Sequence, residues 1–174
     1  MNKETTTKEN DMRAIEMDSL TLHCSTADTT RLDRAIKLLK FITKSTPIKT
    51  LAKKRIPTWK IKPGQPIGCK VTLRKNRAVE LFKILLTGIT ELDEKQFNPG
   101  FLSFGIKEYI EIPSLSYQRD IGILGFDVVA TLKRKGWRVV KRKRLKSRIP
   151  KRHRITKEET IKFFQEKFGV KISK

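Results

Sequence analysis

The sequence predicts an α+β fold: an antiparallel or mixed β-sheet with helices packed on one face, a long basic loop and a basic C-terminal segment. Segments with a two-residue apolar period, typical of strands, are interspersed with segments whose apolar residues recur at helical spacing. Several of the strands are joined by short turns, which favours antiparallel pairing. A chain of 174 residues is long enough for one compact core. We therefore expect a flexible arm over residues 1–11, where apolar periodicity is absent, and a single domain over residues 12–174.

The clearest strand is predicted between residues 67 and 74. Its apolar residues are Ile67, Cys69, Val71 and Leu73, and they alternate with Gly68, Lys70, Thr72 and Arg74. One face of this strand should lie in the core, and the other should be polar and positively charged. The side chains of the polar face would project together from a stiff sheet, which makes Lys70, Thr72 and Arg74 candidates for specific contacts with a folded RNA.

Four further strands are predicted. Alternation indicates one around Leu20 and Leu22, one from Leu102 to Ile106 and one from Phe126 to Leu132, and residues 46–51 should be extended. A turn at Lys135-Gly136 is predicted to lead into a last hairpin strand that contains Trp137 and Val139.

Three helices are predicted. The first is capped by Asp28 or Thr29 and has apolar positions as far as Ile42, and the second covers about residues 77–89. The third begins at Thr156 with a Thr-x-x-Glu capping box, is expected to bury Ile161, Phe164 and Phe168, and ends at Gly169.

The formal net charge of +22 arises from 40 Lys and Arg against 18 Asp and Glu, and it requires a polyanionic partner. Neither a long apolar run nor a helix with a clean apolar stripe is present, so a membrane partner is not expected. Residues 1–10 include Glu4 and Glu9 and lack the apolar region of a secretory signal. We therefore expect a nucleic-acid-binding protein that stays in the cytoplasm.

The basic residues fall into two long stretches without acids. Every charged residue from 34 to 79, and again from 133 to 157, is Lys or Arg. Such stretches bind phosphates through counterion release. Residues 141–154 have no face that could form a core, and they are expected to be disordered alone and ordered on RNA. The candidate phosphate anchors are Arg138, Lys141, Arg142, Lys143, Arg144, Lys146, Arg148, Lys151, Arg152, His153 and Arg154.

Two tryptophans lie among basic residues. Trp59 is in a Pro-rich basic loop, where it would either stack on RNA or protein or pack within the loop. Trp137, at the start of a predicted strand, is expected to be buried rather than to contact RNA.

No enzymatic motif is present, and we predict no catalytic residue, cofactor or metal site. His153 lacks a neighbouring carboxylate and is expected to contact RNA or to be a spectator. Cys24 and Cys69 match no metal-binding spacing and are expected to be reduced thiols. On these grounds two functions remain open: a structural RNA-binding protein, and a free DNA-binding or chromatin-type basic protein.

Four segments in order carry a resemblance to a known family. They are Pro63-Gly-Gln-Pro-Ile-Gly-Cys-Lys-Val-Thr-Leu-Arg74, Phe101 to Glu108, Ile121 to Asp127, and Arg148 to Glu159. The first is similar to the G-x-P-I-G-x-K-V-T-L-R strand of the universal large-subunit ribosomal protein five family, and the last resembles the archaeal form of that family.

The resemblance implies a structural protein of the large ribosomal subunit that binds 5S ribosomal RNA and helps to anchor it in the central protuberance. It implies further partners: large-subunit ribosomal RNA, the P-site transfer RNA, large-subunit ribosomal protein eighteen, and small-subunit ribosomal protein thirteen at an intersubunit bridge. The implied 5S contacts fall on His23, Lys70, Thr72 and Arg74. The implied loop near transfer RNA contains Lys54, Arg55, Thr58, Trp59, Lys60 and Lys62.

One departure from the family pattern follows the first strand. Where the family has Asn-x-Gly-x-Gly, this chain has His23-Cys24-Ser25-Thr26-Ala27. His, like Asn, can donate and accept hydrogen bonds, so the contact with RNA is expected with altered geometry.

Overall fold

A computed structural model of the protein describes residues 10–26, 28–89 and 91–173. Six strands form one antiparallel sheet in the spatial order β2-β3-β1-β7-β6-β5. Their bounds are β1 Ile15–Ser25, β2 Ile48–Leu51, β3 Pro66–Arg74, β5 Phe97–Asn98, β6 Phe101–Ile106 and β7 Phe126–Arg134. Two further strands, β4 Leu92–Asp93 and β8 Ile172–Ser173, form a short parallel pair. The predicted strands within residues 46–51, 67–74, 102–106 and 126–132 are confirmed, and β1 is longer than its apolar alternation indicated.

The three predicted helices are confirmed. Their bounds are α1 Thr29–Thr43, α2 Lys75–Leu86 and α4 Lys157–Phe168, and a single turn, α3, covers Arg138–Lys141. Asp28 caps α1, since its side chain accepts a hydrogen bond from the Thr30 backbone N–H at 3.1 Å. The capping box of Thr156 and Glu159 opens α4, and Gly169 ends it with a left-handed φ of 65°.

The three long helices share one hydrophobic core with one face of the sheet. Leu20 and Leu22 of β1 lie opposite Leu73 and Val71 of β3, and all four are buried. Phe82 of α2 connects the layers: its ring lies 6.3 Å from that of Phe104 in β6 and 5.5 Å from that of Phe164 in α4. Each such side chain contributes about 1.5–3 kcal/mol on burial. The predicted fold class, with helices on one face of an antiparallel sheet, is confirmed.

The buried face of α4 differs from the predicted one. Phe164 is fully buried as expected, but Ile161 and Phe168 are only partly buried, and Phe163 and Thr160 lie in the core instead. The Thr160 hydroxyl donates to the Thr156 carbonyl at 2.9 Å and accepts from the Gly100 backbone N–H at 3.0 Å. Because both hydrogen-bonding roles are satisfied, this polar residue can occupy a core position.

The predicted hairpin strand around Trp137 and Val139 is wrong. Strand β7 ends at Arg134, Gly136 takes a positive φ of 86°, and the chain enters α3. The reason lies in the topology: β7 is paired with β1 on one side and with β6 on the other, so a strand following β7 has no free edge beside it. Trp137 is half-buried.

Residues 1–9 of the expected flexible arm lie outside the described residues, and the predicted division into arm and domain stays a prediction. A short 3-10 helix covers Asp11–Arg13, and the Asn10 side chain accepts a hydrogen bond from the Met12 backbone N–H at its start. Over the described parts of the chain, no helix combines the length and apolar character needed to cross a membrane.

A buried ion pair joins the end of the sheet to α4. The Arg134 side chain is only 7% exposed, and its Nη2 lies 2.5 Å from Glu159 Oε1. The other carboxylate oxygen of Glu159 accepts from the Thr156 backbone N–H at 3.0 Å. Burial by itself raises the pKa of Glu159, but the hydrogen bonds from Thr156 and Arg134 outweigh it and hold the pKa below its ordinary range.

Replacing Glu159 with Gln should therefore destabilise the fold. A Gln side chain keeps the capping hydrogen bond but leaves the buried Arg134 guanidinium without a counter-charge. We expect the free energy of unfolding to fall by about 1–2 kcal/mol, the lower part of the range for a charged hydrogen bond, because Glu159 is partly exposed. Urea unfolding at pH 7 measures this loss.

The exposed neighbour Glu158 supplies the matched control, since Glu158→Gln removes the same charge from the same helix turn and should cost at most about 0.3–1 kcal/mol. The contribution of Glu159 is complete above its ordinary pKa of about 4.3 and is lost as the pH falls through its lower folded-state pKa. The difference between the wild type and Glu159→Gln should shrink over that acidic range. Equal losses for the two variants at pH 7 would contradict the assignment.

Candidate nucleic-acid interface

The face of the sheet opposite the helices, which we call the open face, carries polar side chains at its centre. Directly opposed residues of antiparallel strands point to the same side. The pairing of β1 with β3 sets Ser19 opposite Arg74, Thr21 opposite Thr72, and His23 opposite Lys70. These six side chains alternate with the core residues of both strands and lie on the open face.

The three β3 residues predicted as RNA contacts project together from this face. Lys70, Thr72 and Arg74 are all exposed, whereas their neighbours Cys69, Val71 and Leu73 are buried. The Thr21 and Thr72 hydroxyls lie 3.2 Å apart and are hydrogen-bonded. A shared hydroxyl pair at the centre of the face, between two cationic side chains, offers donors and acceptors at fixed spacing.

His23 lies on the same face and faces an acid. Its Nδ1 is 3.9 Å from Asp127 Oδ2 on β7, and its side chain is partly buried. Gly68 and Thr50 flank it on the other side, since an ideal Cβ on Gly68 would lie 3.3 Å from His23 Nε2 and 2.9 Å from Thr50 Oγ1. The imidazole therefore sits in a shallow recess bounded by three strands.

The segment that departs from the family pattern remains a strand. His23, Cys24 and Ser25 continue β1, and the Thr26 backbone N–H donates to the Ile67 carbonyl at 2.9 Å. The pairing with β3 thus continues where the family pattern has two glycines. Ala27 lies outside the described residues.

A cluster of charges at one end of the open face was not predicted. Asp18 occupies a β-bulge of β1, between Met17 and Ser19, and its side chain is 11% exposed. Its carboxylate lies 3.3 Å from the Lys133 ammonium and 3.7 Å from the Arg74 guanidinium, and it is hydrogen-bonded to the Lys141 ammonium. Three basic residues from β3, β7 and α3 thus converge on one acid.

The pKa of Asp18 reflects two opposing effects. Desolvation by burial raises it, and hydrogen bonds and charges from Lys141 and Lys133 lower it by more, so the net pKa lies below the ordinary Asp value. Asp18 is therefore ionised throughout the neutral range.

The basic loop between β2 and β3 forms a narrow finger. The Ala52 backbone N–H donates to the Gln65 carbonyl at 2.9 Å, and Ile56 pairs with Ile61 through two backbone hydrogen bonds of 3.1 Å. A 3-10 turn over Pro57–Trp59 forms the tip. The Trp59 indole is 68% exposed, which excludes the packed alternative for this residue. All six predicted loop residues, Lys54, Arg55, Thr58, Trp59, Lys60 and Lys62, are exposed.

The candidate phosphate anchors lie in a segment with little regular structure. Beyond α3, residues 142–150 form neither helix nor strand, and a 3-10 turn covers Lys151–His153. Eight anchors are exposed and make no hydrogen bond or ion pair to another residue of the described chain: Arg138, Lys143, Arg144, Lys146, Arg148, Lys151, Arg152 and Arg154. They are free to approach phosphates.

Three of the candidate anchors have intramolecular partners. Lys141 is bonded to Asp18, and the Arg142 Nε donates to the Leu145 carbonyl at 2.7 Å. His153 Nε2 lies 3.0 Å from the Lys135 carbonyl oxygen, so one of its ring nitrogens fixes the segment to the turn after β7. These three are attachment points of the basic segment within the fold.

Two open-face features could be found only with the strand register. Thr21 stands on the polar side of the predicted first strand, but no sequence signal places it opposite Thr72. Asp18 is displaced by the bulge, and a bulge breaks the alternation on which strand prediction depends.

Cys24 and Cys69 are buried free thiols that oppose each other across β1 and β3. The hydrogen bond with Cys69, together with desolvation, raises the pKa of the Cys24 thiol, so it is protonated and unreactive at neutral pH. Among the described residues, no group of three or more His, Cys, Asp or Glu side chains could hold a metal ion.

Comparison with known proteins gives consistent matches. The sequence profile for the C-terminus of the ribosomal protein uL5 family matches residues 66–163. The large ribosomal subunit protein uL5 of Sulfolobus acidocaldarius is 42% identical over 175 residues, covering 99% of this chain and 98% of the relative. The protein of the same name from Nanoarchaeum equitans is 41% identical, covering 94% of this chain and 99% of its own length. That from Caldivirga maquilingensis is 45% identical over 83% of this chain and 74% of the relative.

A close backbone approach makes Gly68 the most constrained residue of the open face. An ideal Cβ at this position would lie 2.6 Å from the Cys24 carbonyl oxygen, a backbone atom that cannot rotate away. Gly68→Ala should therefore separate β1 from β3 locally and lower the free energy of unfolding by about 1–3 kcal/mol. Chemical denaturation of the purified protein measures this loss.

Gly105 of β6 is the matched control on the same face. An ideal Cβ there would meet only the Asp127 side chain, at 3.4 Å, which is ordinary contact. Gly105→Ala should leave stability unchanged or raise it by up to about 1 kcal/mol. A tolerated Gly68→Ala would show that the β1–β3 contact is looser than described.

Proposed function

Because the chain belongs to the ribosomal protein uL5 family, as a member of its archaeal type, we propose that it binds 5S ribosomal RNA and helps to anchor it in the central protuberance. Membership of the family makes the protein a structural, non-enzymatic constituent of the large ribosomal subunit that associates with ribosomal RNA. The proposal concerns the finer assignment: which RNA is bound, and by which face.

The observation that carries the proposal is the row of opposed polar residues along β1 and β3. Thr21 with Thr72, and His23 with Lys70, are held by the sheet at fixed spacing with no helix over them. A rigid array of hydroxyl, imidazole and ammonium groups suits hydrogen bonding to the 2′-hydroxyls and phosphates of a folded RNA. Arg74 adds a guanidinium that, although near Asp18, has donors to spare for RNA.

The basic segment supplies affinity rather than recognition. Its eight unpaired cations follow one another along residues 138–154 without an intervening acid. Each phosphate that they neutralise adds binding free energy that carries no sequence information. In this proposal the open face recognises 5S RNA, and the basic segment holds adjacent phosphates of 5S RNA and the large-subunit RNA.

The finger between β2 and β3 is the segment proposed to approach the P-site transfer RNA. Its exposed tip combines the Trp59 indole with the ammonium of Lys60, and a tryptophan beside cations can stack on a base or a ribose while the cations meet phosphates. The backbone hydrogen bonds that close the finger present this tip away from the sheet.

The remaining partners are proposed from the family resemblance. They are large-subunit ribosomal protein eighteen beside 5S RNA, and small-subunit ribosomal protein thirteen at a bridge to the small-subunit head. We also propose that residues 12–174 act as one domain, which the single hydrophobic cluster extending from Met17 to Phe164 supports.

Competition between nucleic acids tests the assignment to RNA. The purified protein would be bound to labelled 5S RNA at a fixed salt concentration and challenged with unlabelled 5S RNA or with duplex DNA of equal length. We expect 5S RNA to displace the label at much lower concentration than the DNA. Equal displacement by both would instead favour a free DNA-binding or chromatin-type protein.

Open-face residues and basic-segment residues should respond differently to substitution. Thr72→Val keeps the β-branched shape but loses the hydroxyl, and Arg74→Ala loses the guanidinium. Each should weaken 5S RNA binding by about 1–3 kcal/mol. Lys143→Ala should cost less and lower the slope of log affinity against log salt by about one phosphate.

Titrations of 5S RNA at four or more salt concentrations measure both quantities, with thermal unfolding as the control for folding. The affinity loss of Thr72→Val should be nearly independent of salt, because a hydroxyl releases no counterion. The same salt-dependent loss for Thr72→Val and Lys143→Ala would contradict a separate recognition role for the open face.

Trp59→Ala tests the finger. The indole is largely exposed, so the substitution should leave stability and 5S RNA affinity unchanged. It should weaken transfer RNA binding to the P site of reconstituted ribosomes by up to about 1–3 kcal/mol, the range for loss of one stacking contact. Tyr117→Ala removes an exposed aromatic side chain from another segment and serves as the control. Equal P-site binding by the two variants would remove the finger from the proposal.

A further inference from the structure

Asp18 lies at a point where three separate parts of the chain meet. Its carboxylate contacts Arg74 at the end of β3, Lys133 near the end of β7, and Lys141 at the end of α3. The sequence separation between Asp18 and Lys141 is 123 residues, so this contact closes a long loop of the chain. The pairing is a tertiary connection between the open face and the basic segment.

The bulge at Asp18 directs the carboxylate to this point. Met17 pairs with Leu132 and Ser19 with Thr131, so Asp18 is the additional residue of β1 that has no partner on β7. A bulged residue leaves the regular alternation of the strand, and its side chain can be aimed where a regular position could not reach. Here it reaches cations of both neighbouring strands and of α3.

The basic segment is attached at two places. Lys141 is held by Asp18 at its beginning, and His153 is held by the Lys135 carbonyl near its end. Between them residues 142–150 have no helix or strand and their charged side chains are exposed. Losing either attachment would let the segment sample many more conformations.

We infer that Asp18 is a positioning residue for RNA binding, which holds the start of the basic segment and the Arg74 side chain beside the open face so that both reach one RNA. This inference rests on the proposed binding of 5S RNA. Asp18 itself contacts cations of the protein and not the RNA. Its effect on binding would come from preorganisation, since fixing groups in their bound arrangement lowers the entropic cost of association.

Simple electrostatics predicts the opposite sign. Asp18 is a negative charge beside a surface that binds phosphates, so its removal would be expected to strengthen binding to any polyanion. It also pairs with Lys141, which by the same reasoning contributes less to phosphate binding than an unpaired lysine does. A positioning role reverses both expectations, which makes them distinguishable.

The first experiment compares Asp18→Asn with Asp120→Asn. Both remove one negative charge, and Asp120 is exposed with no ion pair to another described residue. We expect Asp18→Asn to weaken 5S RNA binding by about three- to tenfold, the effect of freeing one or two ordered side chains. Asp120→Asn should bind as the wild type does, or slightly tighter. Binding of an unstructured polyanion, polyadenylate, should not weaken in either variant.

The second experiment keeps Asp18 and changes the lysine, which avoids disturbing the bulge. Lys141→Gln and Lys143→Gln remove the same charge from exposed positions that lie close together in the sequence. If Lys141 is an attachment point, Lys141→Gln should lose more 5S RNA affinity than Lys143→Gln does. The double variant Asp18→Asn with Lys141→Gln should bind within about twofold of the weaker single variant, because both changes break one connection.

Three outcomes would overturn the inference. They are 5S RNA binding by Asp18→Asn as tight as that of Asp120→Asn, a smaller loss for Lys141→Gln than for Lys143→Gln, and losses that multiply in the double variant. If Asp18→Asn does not fold, as judged by thermal unfolding, the two lysine variants decide the question. Failure of the proposed function is a separate result, since the wild-type protein would then show no preference for 5S RNA over duplex DNA.

Discussion

Strand β1 is hydrogen-bonded to β3 on one side and to β7 on the other along most of its length. Side chains alternate strictly along a strand, so a shift of one residue in this register would move Leu20 and Leu22 to solvent and bury Thr21 and His23. Burial of the two leucines against the helices therefore determines which side chains the opposite face presents. The polar array of the open face is specified by the hydrophobic core beneath it.

Acidic residues have a structural role that the net charge conceals. A charge of +22 disfavours the compact state through repulsion among cations. Asp18 and Glu159 are each partly buried where basic side chains converge, and each carboxylate has more than one partner. Neutralising these few points lets basic residues stand close together inside the fold, while the exposed lysines and arginines remain available to phosphates.

Local patterns in the sequence were sufficient for most elements and for one side of the open face. The alternation of residues 67–74 and the capping box at Thr156 predicted a strand and a helix correctly, because both depend on neighbours within a few residues. Features that depend on pairing were not predictable in this way. Trp137 follows a turn typical of a hairpin, but β7 has no free edge for another strand. The position of Thr21 opposite Thr72 needed the register, and that of Asp18 needed the bulge.

The charge cluster around Asp18 differs physically from the contacts between the basic segment and phosphates. Contacts of exposed lysines with phosphates weaken steeply as salt increases, because less is gained from counterion release. The cluster lies within about 4 Å and around a largely buried carboxylate, well inside the Debye length of about 8 Å at physiological ionic strength. Salt therefore screens it less than it screens the exposed contacts. The start of the basic segment is consequently held in place under conditions in which its phosphate contacts are weak, so its arrangement is set by the protein before RNA arrives.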